Sequence, residues 1–339
     1  MQASHSGSQA EDIDAIKGVK PNDIIVAFMG QTGSGKSRFI DLLTGQEGRR
    51  AQNNLGSVTQ GIQATRIAVT TKLSDDIGLT LPSDLNGRDI VFVDTPGFDD
   101  SQKTDYQVLC LINDWLKETY QREVKLSGLV YLHPITHNRM AGTPHKNLRM
   151  FAKLCGDIAM TQVILVTTFW ERGDARRAGE SRVKELREIY WKPLLEKGSS
   201  VDALKTTTST EAWRVISALL SKRVKESERV LLQEEVVDQK IAFNETEAAQ
   251  TLYTELQKQL AMKKKTLTRL HQQVKESTDA QIRGQLEREI QQTQREFDQT
   301  FVESKALKRS LFTRLRTFVS GKKTQAKGVK VPEPVQEQK

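Results

Sequence analysis

Short apolar runs alternate with helical spacing along the first two thirds of the chain. The apolar runs lie at residues 24–29, 129–132 and 163–166, and the helical stretches lie near residues 36–44, 102–122, 143–155 and 178–196. Runs of this length are typical of buried strands, and apolar residues that repeat every three to four positions are typical of helices that pack on a sheet. We therefore predict an α/β fold of three layers, with a mostly parallel sheet between two layers of helices.

One part of this region predicts an antiparallel pair of strands. Residues 62–73 alternate apolar and polar side chains, and residues 89–94 form a second apolar run. The adjacent residues Asn86 and Gly87, which lie between them, suit a turn. We expect these two strands to run antiparallel within the sheet.

The composition changes after about residue 221, where proline and glycine become scarce and Glu, Gln, Lys and Arg dominate. Two apolar stripes at helical spacing follow. The first includes Leu256, Leu260, Leu267, Leu270 and Val274, and the second includes Ile282, Leu286, Ile290, Phe297 and Phe301. The stripes indicate a long helical arm, and the break between them allows either an antiparallel helical hairpin or one interrupted coiled coil.

These shifts in composition divide the chain into four predicted parts. They are a disordered leader at residues 1–20, an α/β domain at 21–221, a helical arm at 222–320 and a disordered basic tail at 321–339. The two cysteines, Cys110 and Cys155, have no histidines at a metal-ligand spacing, so neither a zinc site nor a disulfide framework is expected. With no signal peptide and no apolar run of about 20 residues, the chain is predicted to be cytoplasmic.

The net charge of +8 is concentrated in the C-terminal third, where residues 222–339 hold 24 basic against 17 acidic side chains. Residues 305–319 predict a basic amphipathic helix with Leu307, Leu311 and Leu315 on one face. Such a helix packs against another helix or lies on an anionic membrane surface, so a helix partner and peripheral membrane binding are both left open. No nucleic-acid partner is expected, because the basic residues lack interleaved aromatic side chains.

The turn after the first apolar run has the pattern G-x-x-x-x-G-K-S at every fixed position. Glycines in such a loop let backbone N–H groups wrap phosphate oxygens, and the following helix adds its positive N-terminal dipole. Lys36 supplies a positive charge for binding and catalysis, and Ser37 supplies a Mg²⁺ ligand. The predicted phosphate-binding residues are Gly30, Gln31, Thr32, Gly33, Ser34, Gly35, Lys36, Ser37 and Arg38.

A second motif, D-T-P-G, begins at the last residue of the apolar run 89–94. Asp94 is predicted to hold Mg²⁺ through its hydration shell, and the Gly97 N–H is predicted to bond the γ-phosphate during catalysis. Thr59 is a candidate second Mg²⁺ ligand and catalytic switch residue, with Thr65 the next candidate. His133 and Arg139 follow a later strand, and either is a candidate for contact with the γ-phosphate or with the facing subunit, although a solvated loop is the alternative.

The motifs together resemble a known family. The P-loop, S-V-T-Q at residues 57–60, the run D-T-P-G-F-D-D and V-I-L-V-T-T-F-W at residues 163–170 resemble the septin, Toc and GIMAP group of P-loop GTPases. Within that group the chain is most similar to fungal G-domain proteins with a V-T-T-x-W motif and a C-terminal coiled coil. The resemblance covers residues 22–221, and it implies that the α/β domain is a G domain that binds GTP or GDP with Mg²⁺ and forms a homodimer across its nucleotide face.

The base-binding end of the site departs from the family pattern. GTPases usually recognise guanine with an N-K-x-D or T-K-x-D strand end, whereas this chain has T-T-F-W at residues 167–170. Thr168 and Trp170 are the predicted base-contacting residues, and Glu171 or Asp174 is a candidate to replace the missing aspartate. A nucleotide site that does not select guanine is the alternative.

Phe98 occupies the position that bears the water-orienting glutamine in Ras-like GTPases. Because a phenylalanine side chain cannot orient water, hydrolysis requires a group from elsewhere in the chain or from a second subunit. We therefore predict a GTP-binding switch whose slow hydrolysis depends on dimerisation. The alternative is a coiled-coil scaffold whose P-loop domain binds nucleotide with little or no hydrolysis.

Overall fold

A computed structural model describes residues 10–46, 48, 61–79, 81–82, 85, 87–137, 140, 142–223 and 229–308. The described residues divide into two compact units, residues 10–240 and residues 241–308. The first unit is built on a sheet and contains both sequence motifs. The second unit is helical. No helix among the described residues is both long enough and apolar enough to cross a membrane.

The sheet of the first unit has seven strands. They are β1 (Ala10–Ile13), β2 (Ile24–Gly30), β3 (Gln63–Ala68), β4 (Asp89–Asp94), β5 (Leu126–Pro134), β6 (Val163–Thr168) and β7 (Ser200–Ala203). Their order across the sheet is β1-β3-β4-β2-β5-β6-β7. β1 and β3 pair antiparallel, β3 and β4 pair antiparallel, and the remaining neighbours are parallel. The predicted mostly parallel sheet and the antiparallel pairing of residues 63–68 with 89–94 are confirmed.

Helices cover both faces of this sheet. They are α1 (Lys36–Thr44), α2 (Thr71–Ile77), α3 (Asp105–Gln121), α4 (Thr143–Cys155), α5 (Ala175–Glu185), α6 (Lys192–Leu195), α7 (Ser209–Arg223) and α8 (Leu231–Gln233). On one face, Phe28 packs against Phe39 of α1, and Phe92 packs against Trp213 of α7. Side chains alternate along a strand, so Tyr131 points to the other face, where its ring centroid lies 4.7 Å from that of Phe151 in α4. The predicted three-layer α/β fold is confirmed.

The predicted disordered leader is wrong for residues 10–20, because β1 forms an edge strand there. Asp12 accepts a hydrogen bond from the Thr65 hydroxyl at 2.9 Å, and the Ala15 carbonyl accepts one from the Trp115 indole at 3.0 Å. Val19 is buried. An edge strand with two acidic side chains has no apolar run to reveal it, since its order comes from pairing with β3. Residues 1–9 lie outside the described residues.

The predicted strand at residues 62–73 is too long. β3 ends at Ala68, and the Thr70 side chain then accepts a hydrogen bond from the Leu73 N–H at 3.2 Å, which caps the start of α2. The alternation of apolar and polar residues continues from the strand into the helix. Threonine does not mark the boundary, because it is common both in strands and at helix N-caps. The end of β3 is therefore marked by the N-cap residue Thr70, and the alternation of apolar and polar residues does not reveal it.

The second unit is a helical hairpin formed by α9 (Glu247–Glu276) and α10 (Ala280–Ala306). Thr246 and Asp279 cap the two helices through side-chain hydrogen bonds. The hairpin is antiparallel, since Lys263 pairs with Glu296 at 2.6 Å while Gln250 near the start of α9 reaches the carbonyl of Leu307 at 3.1 Å. Of the two predicted alternatives, the structure has the hairpin. The predicted basic tail at 321–339 lies outside the described residues, as does most of the predicted helix at 305–319.

Candidate functional site

The candidate site lies where β2 ends and α1 begins. Gly30 is the last residue of β2, and a Cβ atom there would lie 2.6 Å from the carbonyl oxygen of Leu132 in β5. The loop therefore turns away from the sheet at a point where only glycine fits. Gly33 and Gly35 also have positive φ angles, and Gly35 leads directly into α1. This turn brings the N-terminus of α1 and its backbone N–H groups to the carboxyl end of the sheet.

The Lys36 side chain lies inside this loop. It is 6% exposed, and its Nζ donates hydrogen bonds to the carbonyl of Gly30 at 3.3 Å and the carbonyl of Gln31 at 3.1 Å. Burial lowers the pKa of Lys36 to about 8, although the carboxylates of Asp94 and Asp100 raise it in part. The ammonium is therefore held in the position that the motif predicts for a charge that neutralises phosphate.

Two oxygen donors meet at the start of α1. Ser37 Oγ donates a hydrogen bond to Asp94 Oδ2 at 2.6 Å, so the two predicted Mg²⁺ residues are in direct contact. A hydroxyl and a carboxylate are the hard ligands that Mg²⁺ prefers. No group of three His, Cys, Asp or Glu side chains that could hold a metal ion occurs in the described part of the chain. The donor set thus fits a Mg²⁺ ion that takes its other ligands from phosphate oxygens and water.

The two threonine candidates have different outcomes. Thr59 lies outside the described residues. Thr65, the second candidate, is wrong as a Mg²⁺ ligand, because it is fully buried in β3 and its hydroxyl donates to Asp12 of the edge strand.

The D-T-P-G segment packs against the loop. The N–H of Thr32 donates to the carbonyl of Phe98 at 2.8 Å, and the N–H of Phe98 donates to the carbonyl of Gly30 at 3.3 Å. A Cβ atom on Gly97 would lie 2.4 Å from both the nitrogen and the hydroxyl oxygen of Thr32. Gly97 is therefore at the phosphate loop, as predicted, and its lack of a side chain permits the contact.

Asp99 and Asp100 also reach the loop, and the sequence reasoning assigned them no role of their own. Gln31 Nε2 donates to Asp99 Oδ2 at 3.2 Å, and Thr32 Oγ1 donates to Asp100 Oδ2 at 3.1 Å. Their position in the sequence could have indicated this contact, because they directly follow D-T-P-G-F at the end of the segment that approaches the phosphates.

Ser34 and Arg38 complete the predicted phosphate-binding set. The Ser34 hydroxyl is buried and has no hydrogen-bond partner among the described residues, and it faces Gly30. Such an orphan hydroxyl fits a loop that receives a polar ligand. Arg38 is exposed on the first turn of α1.

The predicted base-contacting residues lie at the end of β6. Thr168 Oγ1 donates to the carbonyl of Ser34 at 2.9 Å, which ties β6 to the phosphate loop. Trp170 is 7% exposed, and its indole N–H donates to Thr167 Oγ1 at 2.9 Å. Its ring also packs so closely on α5 that a Cβ atom on Gly179 would lie 2.5 Å from it. The structure therefore gives Thr168 a loop-positioning role and Trp170 a packing role.

Phe169, between these two residues, stands beside the loop. Its φ is +63°, an uncommon value for an aromatic residue, and its ring lies 3.4 Å from where a Cβ atom on Gly35 would be. The guanidinium of Arg172 lies 4.2 Å from the ring centroid, which is the geometry of a cation–π contact. The sequence reasoning missed Phe169 because nothing in the apolar pattern reveals a backbone in the left-handed region.

The two candidate acids have different partners. Glu171 is exposed, and its Oε2 accepts a hydrogen bond from Thr207 Oγ1 at 3.1 Å in the loop before α7. Asp174 binds Arg182 through both carboxylate oxygens, at 3.1 and 2.7 Å, and the hydrogen bond from Arg182 lowers the pKa of Asp174. Glu171 therefore faces the loop that precedes α7, whereas Asp174 is engaged within α5.

His133 is buried on the side of β5 that faces the turn after α5. Its ring contacts the rings of His137 and Trp191 in edge-on geometry. Burial, with a smaller contribution from His137, lowers the pKa of His133 to about 3. His133 is therefore a neutral packing residue and not the solvated loop residue of the alternative interpretation. Arg139, the other candidate in this segment, lies outside the described residues.

Comparison with known families supports the assignment of the fold. Residues 25–166 match the model of a family described as 50S ribosome-binding GTPase. No curated protein matches the chain. The strand order, the two adjacent phosphate motifs and the family match over residues 25–166 agree that the first unit has the fold of a P-loop GTPase domain. In the chain, the helical hairpin follows this unit.

Several solved structures are similar to this chain at low identity. A dimerization-deficient mutant of Toc33 from Arabidopsis thaliana has 15% identity and a TM-score of 0.43, over 62% of this chain and 88% of that chain. Toc33 in complex with GDP and Mg²⁺ has 16% identity and a TM-score of 0.42, over 62% and 87%. Era in complex with MgGDPNP and a segment of 16S ribosomal RNA has 14% identity and a TM-score of 0.38, over 61% and 59%.

Proposed function

We propose that the first unit is a GTP-binding switch domain of the septin, Toc and GIMAP kind, which binds GTP or GDP with Mg²⁺ and hydrolyses GTP slowly. The observation that carries this proposal is the contact between the two phosphate motifs. The hydroxyl of Ser37 meets the carboxylate of Asp94, and Gly97 lies directly against Thr32 of the loop.

The phosphate end of the site would act through charge and backbone N–H groups. Lys36 is already inside the loop, and the N-terminus of α1 offers a positive dipole at the same place. Ser37 and Asp94 would hold Mg²⁺, with Thr59 as a further proposed ligand, and the ion would neutralise phosphate charge when bound. This machinery recognises phosphates and does not select a base.

Selection of guanine would depend on Glu171. The guanine edge presents two neighbouring N–H donors, which one carboxylate can accept together, whereas adenine presents an amino donor beside an acceptor nitrogen. Glu171 is held by Thr207 in the neighbouring loop and lies two residues after Phe169, whose ring contacts the loop at Gly35. It is the acid at this strand end that is not paired with arginine in the described structure.

Affinity titrations test this assignment. We expect the full chain with Mg²⁺ to prefer GTP over ATP, and Glu171→Gln to lower GTP affinity by about 10- to 100-fold, since a hydrogen bond to a charged group contributes about 1.5–3 kcal/mol. Glu188→Gln is the matched control, because Glu188 is an exposed glutamate of the same unit that pairs only loosely with Lys184. Equal affinity of the unmodified chain for ATP and GTP would show a site that does not select guanine.

Hydrolysis would require help from a second copy. Phe98 is 1% exposed and is bonded through its backbone to the loop, so it offers no polar group at the water-orienting position. We propose a homodimer across the nucleotide face that supplies the missing group. Turnover per molecule should rise with protein concentration. Turnover that stays constant across the dimerisation range contradicts this proposal, and absence of turnover at every concentration supports a nucleotide-binding scaffold.

The helical hairpin would serve as the partner-binding part of a cytoplasmic protein. Its exposed apolar side chains support a helix partner, and they are Met262, Ile282, Phe301 and Val302. Peripheral binding to anionic membranes is the second role that we propose, through the basic residues that follow the hairpin. Co-sedimentation of the full chain with anionic liposomes at low salt, compared with a chain truncated after residue 308, tests the membrane role.

A further inference from the structure

Two consecutive carboxylates hold the mouth of the phosphate loop. Asp99 Oδ2 accepts from Gln31 Nε2 at 3.2 Å, and Asp100 Oδ2 accepts from Thr32 Oγ1 at 3.1 Å. Both donors belong to the variable positions of the loop, where the motif itself demands no particular residue. We call Asp99 and Asp100, with these two bonds, the carboxylate clamp.

Hydrogen bonds to residues 102–105 fix the positions of Asp99 and Asp100. The φ of Asp99 is +60°, and its N–H donates to Asp105 Oδ1 at 2.8 Å, at the start of α3. Asp105 is itself paired with Lys146 of α4. Asp100 uses Oδ1 to accept the N–H groups of Gln102 and Lys103 at 2.7 and 3.0 Å, and it uses Oδ2 to accept the Thr32 hydroxyl.

The clamp brings negative charge to the place where a third phosphate would arrive. In a P-loop the backbone wraps the α- and β-phosphates, the lysine reaches the β- and γ-phosphates, and the glycine of the second motif bonds the γ-phosphate. Here that glycine, Gly97, touches Thr32, and Thr32 is bonded to Asp100. Asp100 is also close enough to Lys36 to interact with its charge.

A γ-phosphate would therefore compete with the clamp, whereas a diphosphate would not reach it. Asp99 is exposed and Asp100 is half-buried, so water screens the charge of Asp100 less and its repulsion of a phosphate is the stronger of the two. The Thr32 hydroxyl has a single hydrogen to donate, so it can bond either the Asp100 carboxylate or a phosphate oxygen. The Gln31 amide has two N–H donors, so it can bond Asp99 and a phosphate oxygen together.

We propose that Asp99 and Asp100 disfavour binding of the γ-phosphate and so give the site a preference for the nucleoside diphosphate over the triphosphate. This proposal rests on the proposed nucleotide function. The clamp would thus keep the switch in its diphosphate form until an interaction moves the segment at residues 97–100 away from the loop.

Removing one charge while keeping an acceptor oxygen tests this proposal. The variants are Asp100→Asn and Asp99→Asn, because the one oxygen of an asparagine side chain still accepts a hydrogen bond but carries no charge. At residue 100 that oxygen can keep the bonds from the N–H groups of Gln102 and Lys103, whereas the acceptor for the Thr32 hydroxyl is lost. Affinities of the full chain for GDP and for a non-hydrolysable GTP analogue are measured with Mg²⁺. We expect Asp100→Asn to raise the affinity for the analogue by about tenfold, which corresponds to about 1.4 kcal/mol, and to change the affinity for GDP by less than about threefold.

Two controls separate charge from structure. Glu118→Gln removes a charge from an exposed position of α3, about 20 Å along the helix from Asp105, and should leave both affinities unchanged. Asp100→Ala removes the charge and also the bonds from Gln102 and Lys103, so it should lower thermal stability, which Asp100→Asn should not. If Asp100 acts only in folding, the alanine and asparagine variants will differ in thermal stability, but neither will change the ratio of diphosphate to triphosphate affinity.

Failure of the clamp is distinguishable from failure of the proposed function. If the unmodified chain binds neither guanine nor adenine nucleotides, the proposed function and the clamp both fail. If it binds adenine nucleotides instead, ADP and a non-hydrolysable ATP analogue measure the same ratio. If nucleotides bind and Asp100→Asn leaves the ratio of diphosphate to triphosphate affinity unchanged, or lowers triphosphate affinity, the clamp proposal is overturned.

Discussion

The phosphate end and the base end of the candidate site are built in different ways. At the phosphate end, a continuous loop places backbone groups, Lys36 and Ser37 directly after one strand, and Asp94 ends the neighbouring strand. At the base end, single side chains from two separate loops meet, as Glu171 and Thr207 do. Local sequence therefore specifies the first end, whereas tertiary packing specifies the second.

This difference separates affinity from selectivity. Backbone N–H groups, a helix dipole and a lysine attract any nucleoside phosphate, because none of them contacts the base. Selectivity must then come from the base end, which has fewer and more exposed contacts. Changes at the phosphate end should weaken all nucleotides together, and changes at the base end should alter only their ranking.

The largest effect should follow loss of Lys36. Lys36→Met removes the charge but keeps most of the buried aliphatic chain, and it should weaken GTP, GDP and ATP alike by more than about 100-fold, as expected for a buried charge-assisted contact. Isothermal titration with each nucleotide measures this. Lys184→Met, at a lysine whose side chain is 74% exposed, is the control. A loss for GTP with unchanged ATP binding would contradict the separation of the two ends.

A smaller effect should follow from a methyl group at residue 97. A Cβ atom there would lie 2.4 Å from Thr32 N and Oγ1, so Gly97→Ala must separate the two motifs, and overpacking of this kind typically costs about 1–3 kcal/mol. We expect triphosphate affinity to fall by about tenfold or more, because the displaced Gly97 N–H no longer bonds the γ-phosphate and this loss exceeds the gain from displacing Asp99 and Asp100. Gly284→Ala is the control, since no atom lies within 4 Å of the added methyl group. Unchanged triphosphate binding by Gly97→Ala would show that the two motifs need not stay in contact.

The structure brings together the residues that the amino-acid sequence predicts for the phosphate end, because these residues are contiguous in two short motifs. The loop, the following helix and the D-T-P-G motif are each encoded within a few residues, and parallel strands bring their ends to one edge. Edge strand β1 escaped prediction because its residues are polar and its order comes from pairing with β3. The hairpin was one of two alternatives, since a stripe of apolar residues does not show which way the chain turns at Asp279.

The residues predicted to contact the base have other contacts in the structure. Thr168 and Trp170 were chosen by their position in a short motif, yet the first holds the carbonyl of Ser34 and the second packs on α5. The residue between them, Phe169, reaches the loop only because its backbone takes a left-handed conformation. Side-chain direction at the end of a strand depends on such a single dihedral angle, and apolar periodicity carries no information about it.

A pH dependence should distinguish the charge of Lys36 from its packing. Its pKa in the folded chain is lowered to about 8 by burial, and bound phosphate requires the charged form. Nucleotide affinity should be constant below that pH and should fall by up to about tenfold for each pH unit above it.

The sign of the stability effect provides the control. The pKa of an unperturbed lysine is 10.5, so between this value and about 8 the unfolded chain binds more protons than the folded chain. Titration of Lys36 therefore raises fold stability as the pH rises through this interval, so a fall in affinity there cannot come from unfolding at this residue. Nucleotide titrations and thermal unfolding are measured together from about pH 7 to about pH 9.5. Affinity that does not change with pH would show that Lys36 is charged throughout.

The smallest effect should follow replacement of Trp170 and should separate packing from base recognition. Trp170→Phe removes the indole hydrogen bond to Thr167 and should lower the free energy of unfolding by about 1 kcal/mol, with the ratio of GTP to ATP affinity unchanged. Trp213→Phe is the matched control, because it removes an indole hydrogen bond to the carbonyl of Leu43 in the core on the α1 and α7 face of the sheet. Denaturant unfolding and the two nucleotide titrations measure both quantities. If Trp170→Phe alters the ratio of GTP to ATP affinity and Trp213→Phe does not, Trp170 contacts the base. The V-T-T-x-W motif would then contribute a base-contacting side chain, which the packing of Trp170 on α5 does not indicate.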